Sequence, residues 1–162
     1  AMLLLAADPR VLFLGQNVCC DGNVMYKDME RVPMDQLLEL PVMEECQMGM
    51  SIGLSLQGLI PVSIYPRMDF LLLAMNQLVN HLDKLEAMSG GQYRPKVIIR
   101  TKVGARTPLD AGPQHTQDHT EALRLMLTNV SVLRLTRLEE AEAFYRAALN
   151  SVNSTLVVED IR

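Results

Sequence analysis

Glu44 is the residue whose type and placement most directly suggest chemistry. It stands in Pro41-Val-Met-Glu-Glu-Cys-Gln-Met-Gly-Met-Ser-Ile-Gly-Leu-Ser-Leu-Gln-Gly58, where a proline-led turn delivers a carboxylate onto the first turn of an apolar helix. Gly49 and Gly53 follow on one face of that helix. Each interior glycine costs roughly 0.5–1 kcal/mol relative to alanine, so the pair predicts a close approach by another element or a ligand. The helix macrodipole stabilises Glu44 as an anion, whereas enclosure by Met and Val side chains pushes a carboxyl towards protonation. A group pulled both ways suits the sharing of a proton. The plainer alternative is that Glu44 and Glu45 simply begin a helix, where acidic residues are common.

Histidine offers less. His115 and His119 flank Asp118 at a spacing that would hold a metal on a helix face, but no third ligand is spaced nearby and Asp118 is better read as a helix cap. His115 alone, beside Gln114 in a Pro/Gly-rich loop, is either a substrate-facing proton donor or a polar loop residue. His81 falls on a polar helix face and is read as solvated. Cys19, Cys20 and Cys46 make an odd count without a Cys-x-x-Cys pair, which points to a reducing compartment, cytoplasm or an organelle matrix. The vicinal Cys19-Cys20 is either a redox switch or two small buried residues after a strand. No Gly-x-Gly-x-x-Gly follows the first strand, and Gly-x-x-x-x-Gly-Lys-Ser/Thr and Gly-x-Ser-x-Gly are both missing. These absences disfavour a dinucleotide-binding dehydrogenase, a P-loop enzyme and an α/β-hydrolase.

The elements that must position these residues are legible in order. Apolar runs at 10–15, 59–65, 96–100, 131–135 and 154–158 read as strands, the first ended by Gly15. Between them the periodicity predicts helices from Glu44 to a C-terminal cap at Gly58, from Phe70 to about Met88, from Asp118 to Leu127, and from Thr136 to about Leu149. Asp69 is the expected cap of the second, Ser89-Gly90-Gly91 its close, and Asp118-x-x-Glu121 and Thr136-x-x-Glu139 are the expected capping boxes of the last two. Residues 17–40, with Asp21-Gly22-Asn23 and Pro33, read as a long irregular connection, and residues 101–117 as a loop long enough to carry function. The alternation is βαβαβαβαβ, which predicts an α/β domain with a mostly parallel sheet of about five or more strands and helices on both faces. Ligands gather beyond the carboxyl ends of such strands, and Glu44, Phe70 and His115 are all placed near such ends.

With 162 residues, 49% of them hydrophobic, the chain is read as one domain with a real core. A net charge of -4 spread along the sequence gives no electrostatic footprint for nucleic acid or an anionic membrane. Met2-Leu-Leu-Leu-Ala-Ala7 is far shorter than the ~20 residues of a membrane span and reads as a trimmed end or a short packing segment. Eleven Met and no Trp describe a flexible core or a surface that packs on another chain.

The stretch 41–80 resembles the pyrimidine-binding domain of thiamine-diphosphate enzymes of the transketolase group, most of all the beta subunit of 2-oxo-acid dehydrogenase first components. The residues that carry it are Pro41-Val-Met-Glu44, Gly49, Gly53, Gly58-Leu-Ile-Pro-Val, Phe70, Asn76-Gln77-Leu-Val-Asn80, Met88-Ser-Gly-Gly91 and Gln114-His-Thr-Gln117, with looser agreement to Glu159. The resemblance implies that Glu44 hydrogen-bonds the aminopyrimidine ring nitrogen of thiamine diphosphate and shares the proton through which the cofactor's nucleophilic ylid forms. It implies a Phe70 ring against the pyrimidine, with a core phenylalanine the alternative, Tyr65 in the cofactor site, and His115 facing substrate. It further implies a potassium site at Ala148, Leu149, Ser151 and Asn153, and Mg2+ and diphosphate held by a separate alpha-type subunit, which agrees with the missing phosphate loop.

The chain departs from these relatives at Ile64, at Gln16-Asn17 and at Glu45-Cys46, and it ends at Arg162, where the family's beta subunit continues into a second domain. It is therefore expected to be either a naturally isolated domain or a piece of a longer protein. The expected function is the pyrimidine half of a thiamine-diphosphate site, in a homo- or hetero-oligomer acting on a 2-oxo acid or a ketose. The rival is an assembly domain that kept the fold and lost the chemistry. A flavodoxin-like regulator would need a phosphate loop or an acidic cluster after the first strand, where only Asp21 stands.

Overall fold

The computed structural model describes residues 1–19, 27–107 and 110–161. Cys20, the Asp21-Gly22-Asn23 turn, Pro108 and Arg162 lie outside the described residues. Six strands form one sheet: β1 (Val11–Gly15), β2 (Leu37–Glu39), β3 (Ile60–Tyr65), β4 (Ile98–Lys102), β5 (Ser131–Leu135) and β6 (Thr155–Glu159). Their order is β2-β1-β3-β4-β6-β5 and every pairing is parallel. Among the described residues the α-helices are α1 (Met2–Ala6), α2 (Glu44–Leu56), α3 (Met68–Leu71), α4 (Leu85–Met88), α5 (Thr120–Met126) and α6 (Ala141–Asn150).

Alternation along the central strands divides the core between the two faces of the sheet, because successive side chains point opposite ways. Val62, Ile64, Ile98 and Val157 join Met2, Leu5 and Tyr145 on one face, while Tyr65, Ile99, Leu156 and Val158 join Met48, Met68, Leu71 and Leu78 on the other. The parallel sheet covered by helices on both faces is as expected from the βα alternation.

Four local features differ from expectation. The connection 17–40 contains β2, a strand of three residues pairing with β1 through Phe13–Leu37, Leu14–Leu38 and Gly15–Glu39. The span 70–88 is not one α-helix: α3 passes through a 3₁₀ turn at Leu72–Ala74 and a π-helical stretch at Asn76–Leu82 before α4. No proline or glycine marks that change of winding; at its start the amides of Asn76 and Gln77 donate to Glu45 Oε1 at 2.9 and 3.1 Å. Asp69 is inside α3 rather than its cap, because the extended residue is Arg67 and the helix starts at Met68. Neither capping box forms: Asp118 Oδ1 instead accepts the Thr120 N–H and hydroxyl at 3.0 and 2.6 Å, and a 3₁₀ turn at Leu138–Glu140 precedes α6. The expected cap at Gly58 is present. With φ +91°, Gly58 donates its N–H to the Ser55 carbonyl while Leu59 donates to Leu54, which closes α2.

Candidate functional site

β2 ends at Glu39, and the Leu40–Met43 turn sets Glu44 as the first residue of α2. Two buried side chains pin that end of the helix to the sheet. Gln47 Nε2 bridges β1 and β3, donating to the Ile64 carbonyl at 2.9 Å, to Ser63 Oγ at 3.1 Å and to the Leu14 carbonyl at 3.4 Å. Tyr65, fully buried, donates its hydroxyl to the Glu44 carbonyl at 3.4 Å and accepts from Ser63 Oγ at 3.3 Å. Burial pushes the phenol's pKa up, the Ser63 bond opposes this, and the charges of Glu44 and Glu45 add to the rise, so Tyr65 is a neutral donor here.

Tyr65 is 0% exposed, so its side chain is turned into the chain rather than to its surface. Its ring is enclosed by the core on the α2 face, and its contribution is to hold the backbone of Glu44 in place.

Glu44 itself is only 9% exposed and lines a groove of about 630 Å3 together with Met43, Glu45, Cys46, Gly49, Met50, Leu73 and Gln77. Among the described residues no donor reaches its carboxylate, whereas Glu45 beside it is engaged by Asn76 and Gln77. The close approach expected at the two glycines is not made among the described residues. A Cβ on Gly49 would be in ordinary contact with Gln77 at 3.7 Å, and one on Gly53 would meet nothing within 4 Å. That face of α2 is left open.

Phe70 leaves the carboxyl end of β3 on α3, one helical turn before Leu73 in the groove. His115 comes from the loop after β4, and the two rings meet edge to face, with centroids 5.4 Å apart and planes at 78°. Two further ties hold this loop on α3: Asp69 Oδ1 accepts Gln117 Nε2 at 2.8 Å and the Gln117 N–H at 3.4 Å, and the His119 N–H reaches Met68 Sδ at 2.9 Å; within the loop Gly104 passes under His115. A Cβ on Gly104 would sit 1.8 Å from the His115 carbonyl oxygen and 3.3 Å from Arg67 Nη1. Replacing Gly104 by alanine is therefore expected to push the loop off α3 at a cost of about 1–3 kcal/mol. The measurement is the ring-current shift of the His115 imidazole protons, which should be lost; an unchanged His115 spectrum would contradict the contact.

The structure thus brings Phe70 and His115 together and sets Glu44 on a groove wall shared with α3's helical segment. It also shows what the linear pattern concealed. The Asp69–Gln117 tie joins residues far apart in the chain, and Asp69 carries a buried Oδ2 with no partner among the described residues. No group of three or more His, Cys, Asp or Glu side chains that could hold a metal occurs among the described residues, so His115 and His119 do not form such a site there.

The residues do not fit a potassium ion at Ala148, Leu149, Ser151 and Asn153. The Leu149 carbonyl accepts Lys96 Nζ, Ser151 Oγ donates to the Asn153 carbonyl at 3.0 Å, and Ala148 is buried in the core. A cation held by carbonyls needs them to replace its hydration shell, and those of Leu149 and Asn153 already accept a hydrogen bond.

A family described as "Transketolase, pyrimidine binding domain" matches residues 2–160. The chain is 30% identical over 158 residues to the pyruvate dehydrogenase E1 component subunit beta-3, chloroplastic, of Arabidopsis thaliana, covering 95% of this chain and 38% of that protein. It is 29% identical over 157 residues to the corresponding beta subunit of Gracilaria tenuistipitata var. liui, covering 95% and 48%. Among solved structures, a split-gene transketolase described as an inactive beta4 tetramer superimposes with TM-score 0.72 at 18% identity over 94% of this chain and 45% of that one. Transketolase from Leishmania mexicana gives TM-score 0.73 at 20% identity over 97% and 23%. The structural matches show the fold, and the chain spans less than half the length of each of these curated relatives.

Proposed function

The chain belongs to the transketolase pyrimidine-binding domain family, and from that premise we propose that it supplies the aminopyrimidine half of a thiamine-diphosphate site. The observation that carries the proposal is Glu44, a carboxylate fixed on a groove wall by Tyr65 and Gln47 and left without a protein donor among the described residues. An enclosed acceptor of that kind is suited to hold a proton at a ring nitrogen and to return it. The cofactor supplies the carbanion chemistry by which 2-oxo acids are decarboxylated or ketoses cleaved.

Each side chain then has a task. Glu44 orients the pyrimidine and exchanges a proton with it. Phe70 gives the ring a flat apolar surface, worth about 0.5–1.5 kcal/mol beyond area burial. His115, held against Phe70, faces the substrate and can move a proton there. Tyr65 acts through the backbone of Glu44. The diphosphate and its Mg2+ belong to a separate alpha-type subunit, which seats against the groove and the open face of α2 at Gly49 and Gly53. The relatives named chloroplastic favour an organelle matrix or a comparable reducing compartment.

The reaction is tested by adding a co-purified alpha-type subunit to the chain and following CO2 release from 2-oxo acids and ketol transfer from ketoses. Activity should require both polypeptides. Turnover by the purified chain alone would contradict the division of the site between two chains.

A further inference from the structure

Helix α6 ends where the family resemblance placed potassium, and the structure puts a lysine on one of its last carbonyls. Lys96 stands just before β4 and sends Nζ to the Leu149 carbonyl. Its own backbone is fixed at both polar atoms by one hydroxyl: the Lys96 N–H donates to Ser55 Oγ at 2.6 Å, and Ser55 Oγ donates to the Lys96 carbonyl at 3.0 Å. The residues on either side are held in the same way, with Ser154 Oγ donating to the Pro95 carbonyl at 2.9 Å and accepting the Val97 N–H at 3.0 Å. The backbone from which the ammonium reaches out is therefore held in place by Ser55 and Ser154.

The last carbonyls of a helix have no partner within it and carry the negative end of its dipole, so a cation is favoured there. Ser151 caps one of them by donating its N–H to the Ala147 carbonyl at 2.9 Å, and Leu149 is served by Lys96. An ammonium and a potassium ion carry the same charge and are similar in size. Burial and the nearby Arg10 lower the pKa of Lys96, and Asp8 opposes them, so a carboxylate offsets part of the cost of holding the charge.

We propose that the Lys96 ammonium is the resident monovalent cation at the end of α6, in the role that an alkali-metal ion would have there, so that the folded chain needs none. The proposal does not depend on the cofactor, and the purified chain suffices to test it. Thermal unfolding is followed in potassium chloride and in choline chloride at equal ionic strength, which holds screening constant. Wild type should melt at the same temperature in both, within about 1 °C. Lys96→Met should melt roughly 4–8 °C lower in choline, and potassium should restore at least half of the loss.

A wild type that gains stability in potassium would overturn the proposal, because the site would then still be taking up an ion. A Lys96→Met variant that is destabilised but indifferent to potassium would overturn it as well, leaving an ordinary helix-capping lysine. If Lys96→Met does not fold, Lys96→Ala, which removes the donor to the Leu149 carbonyl with the least added bulk, should acquire the potassium response, and its failure to do so would count equally against the proposal. The wild-type comparison needs no variant.

Discussion

Glu44→Gln is expected to lower the turnover of the complex reconstituted with an alpha-type subunit by about 10²–10⁴-fold, the range that a positioned acid or base contributes. The amide has the shape of the carboxyl and can still meet a ring nitrogen, but it cannot take up and return a proton. Little else should change. Among the described residues the Glu44 carboxylate accepts no hydrogen bond, so the substitution leaves no partner unpaired. The lost charge at the start of α2 costs about 0.3–1 kcal/mol through the helix dipole. The measurement is kcat at saturating cofactor beside the melting temperature of the same preparation. An unchanged kcat would remove Glu44 from the chemistry, and a loss of kcat that merely follows a loss of fold would make it structural.

Asp83→Ala is expected to have the largest effect on stability, at about 2–4 kcal/mol, because it withdraws the acceptor from several donors at once. The Asp83 carboxylate accepts the backbone N–H groups of Thr128, Asn129 and Val130 at 2.8 to 3.2 Å, the Thr128 hydroxyl at 3.0 Å and Lys84 Nζ at 2.7 Å. It thereby ties the end of the π-helical stretch to the turn before β5. Burial works to raise its pKa, but Lys84 and the three amides outweigh it and hold the group down to about 2. A folded-state pKa below the unfolded one means stability that is complete above the ordinary carboxylate pKa and is lost as pH falls towards 2.

The melting temperature of Asp83→Ala should be roughly 6–12 °C lower at neutral pH, a gap that closes as pH drops from about 4 to 2. A gap that stayed constant through that window would show that the charge on Asp83 contributes nothing.

Strands and the central helix were legible because each rests on a local pattern. The apolar runs of β1, β3, β4 and β6 are buried almost throughout, and Gly58 caps α2 where its position after the periodic stretch said it would. β2 is not legible because half-buried Leu37 and Leu38 and exposed Glu39 carry no period, and the neighbouring strand alone makes them a strand. Asp69 reads as a cap from its neighbours, yet its carboxylate is turned to Gln117, a residue that only the fold brings near. The same limit applies to the site. Glu44 can be found from its proline-led turn and its glycines, whereas the edge-to-face contact of Phe70 with His115 and the support of Glu44 by Tyr65 arise from strand order. Backbone carbonyls leave no mark in a sequence at all, which is why the contact of Lys96 with the Leu149 carbonyl could be learned only from the structure.

The most direct test of the central claim is calorimetric titration of thiamine diphosphate with Mg2+ into the chain, alone and with a co-purified alpha-type subunit. A site shared between two polypeptides predicts saturable binding only when both are present, and weaker binding when Glu44→Gln replaces wild type. Absence of cofactor binding in every pairing would contradict it and leave a domain that kept the fold for assembly alone.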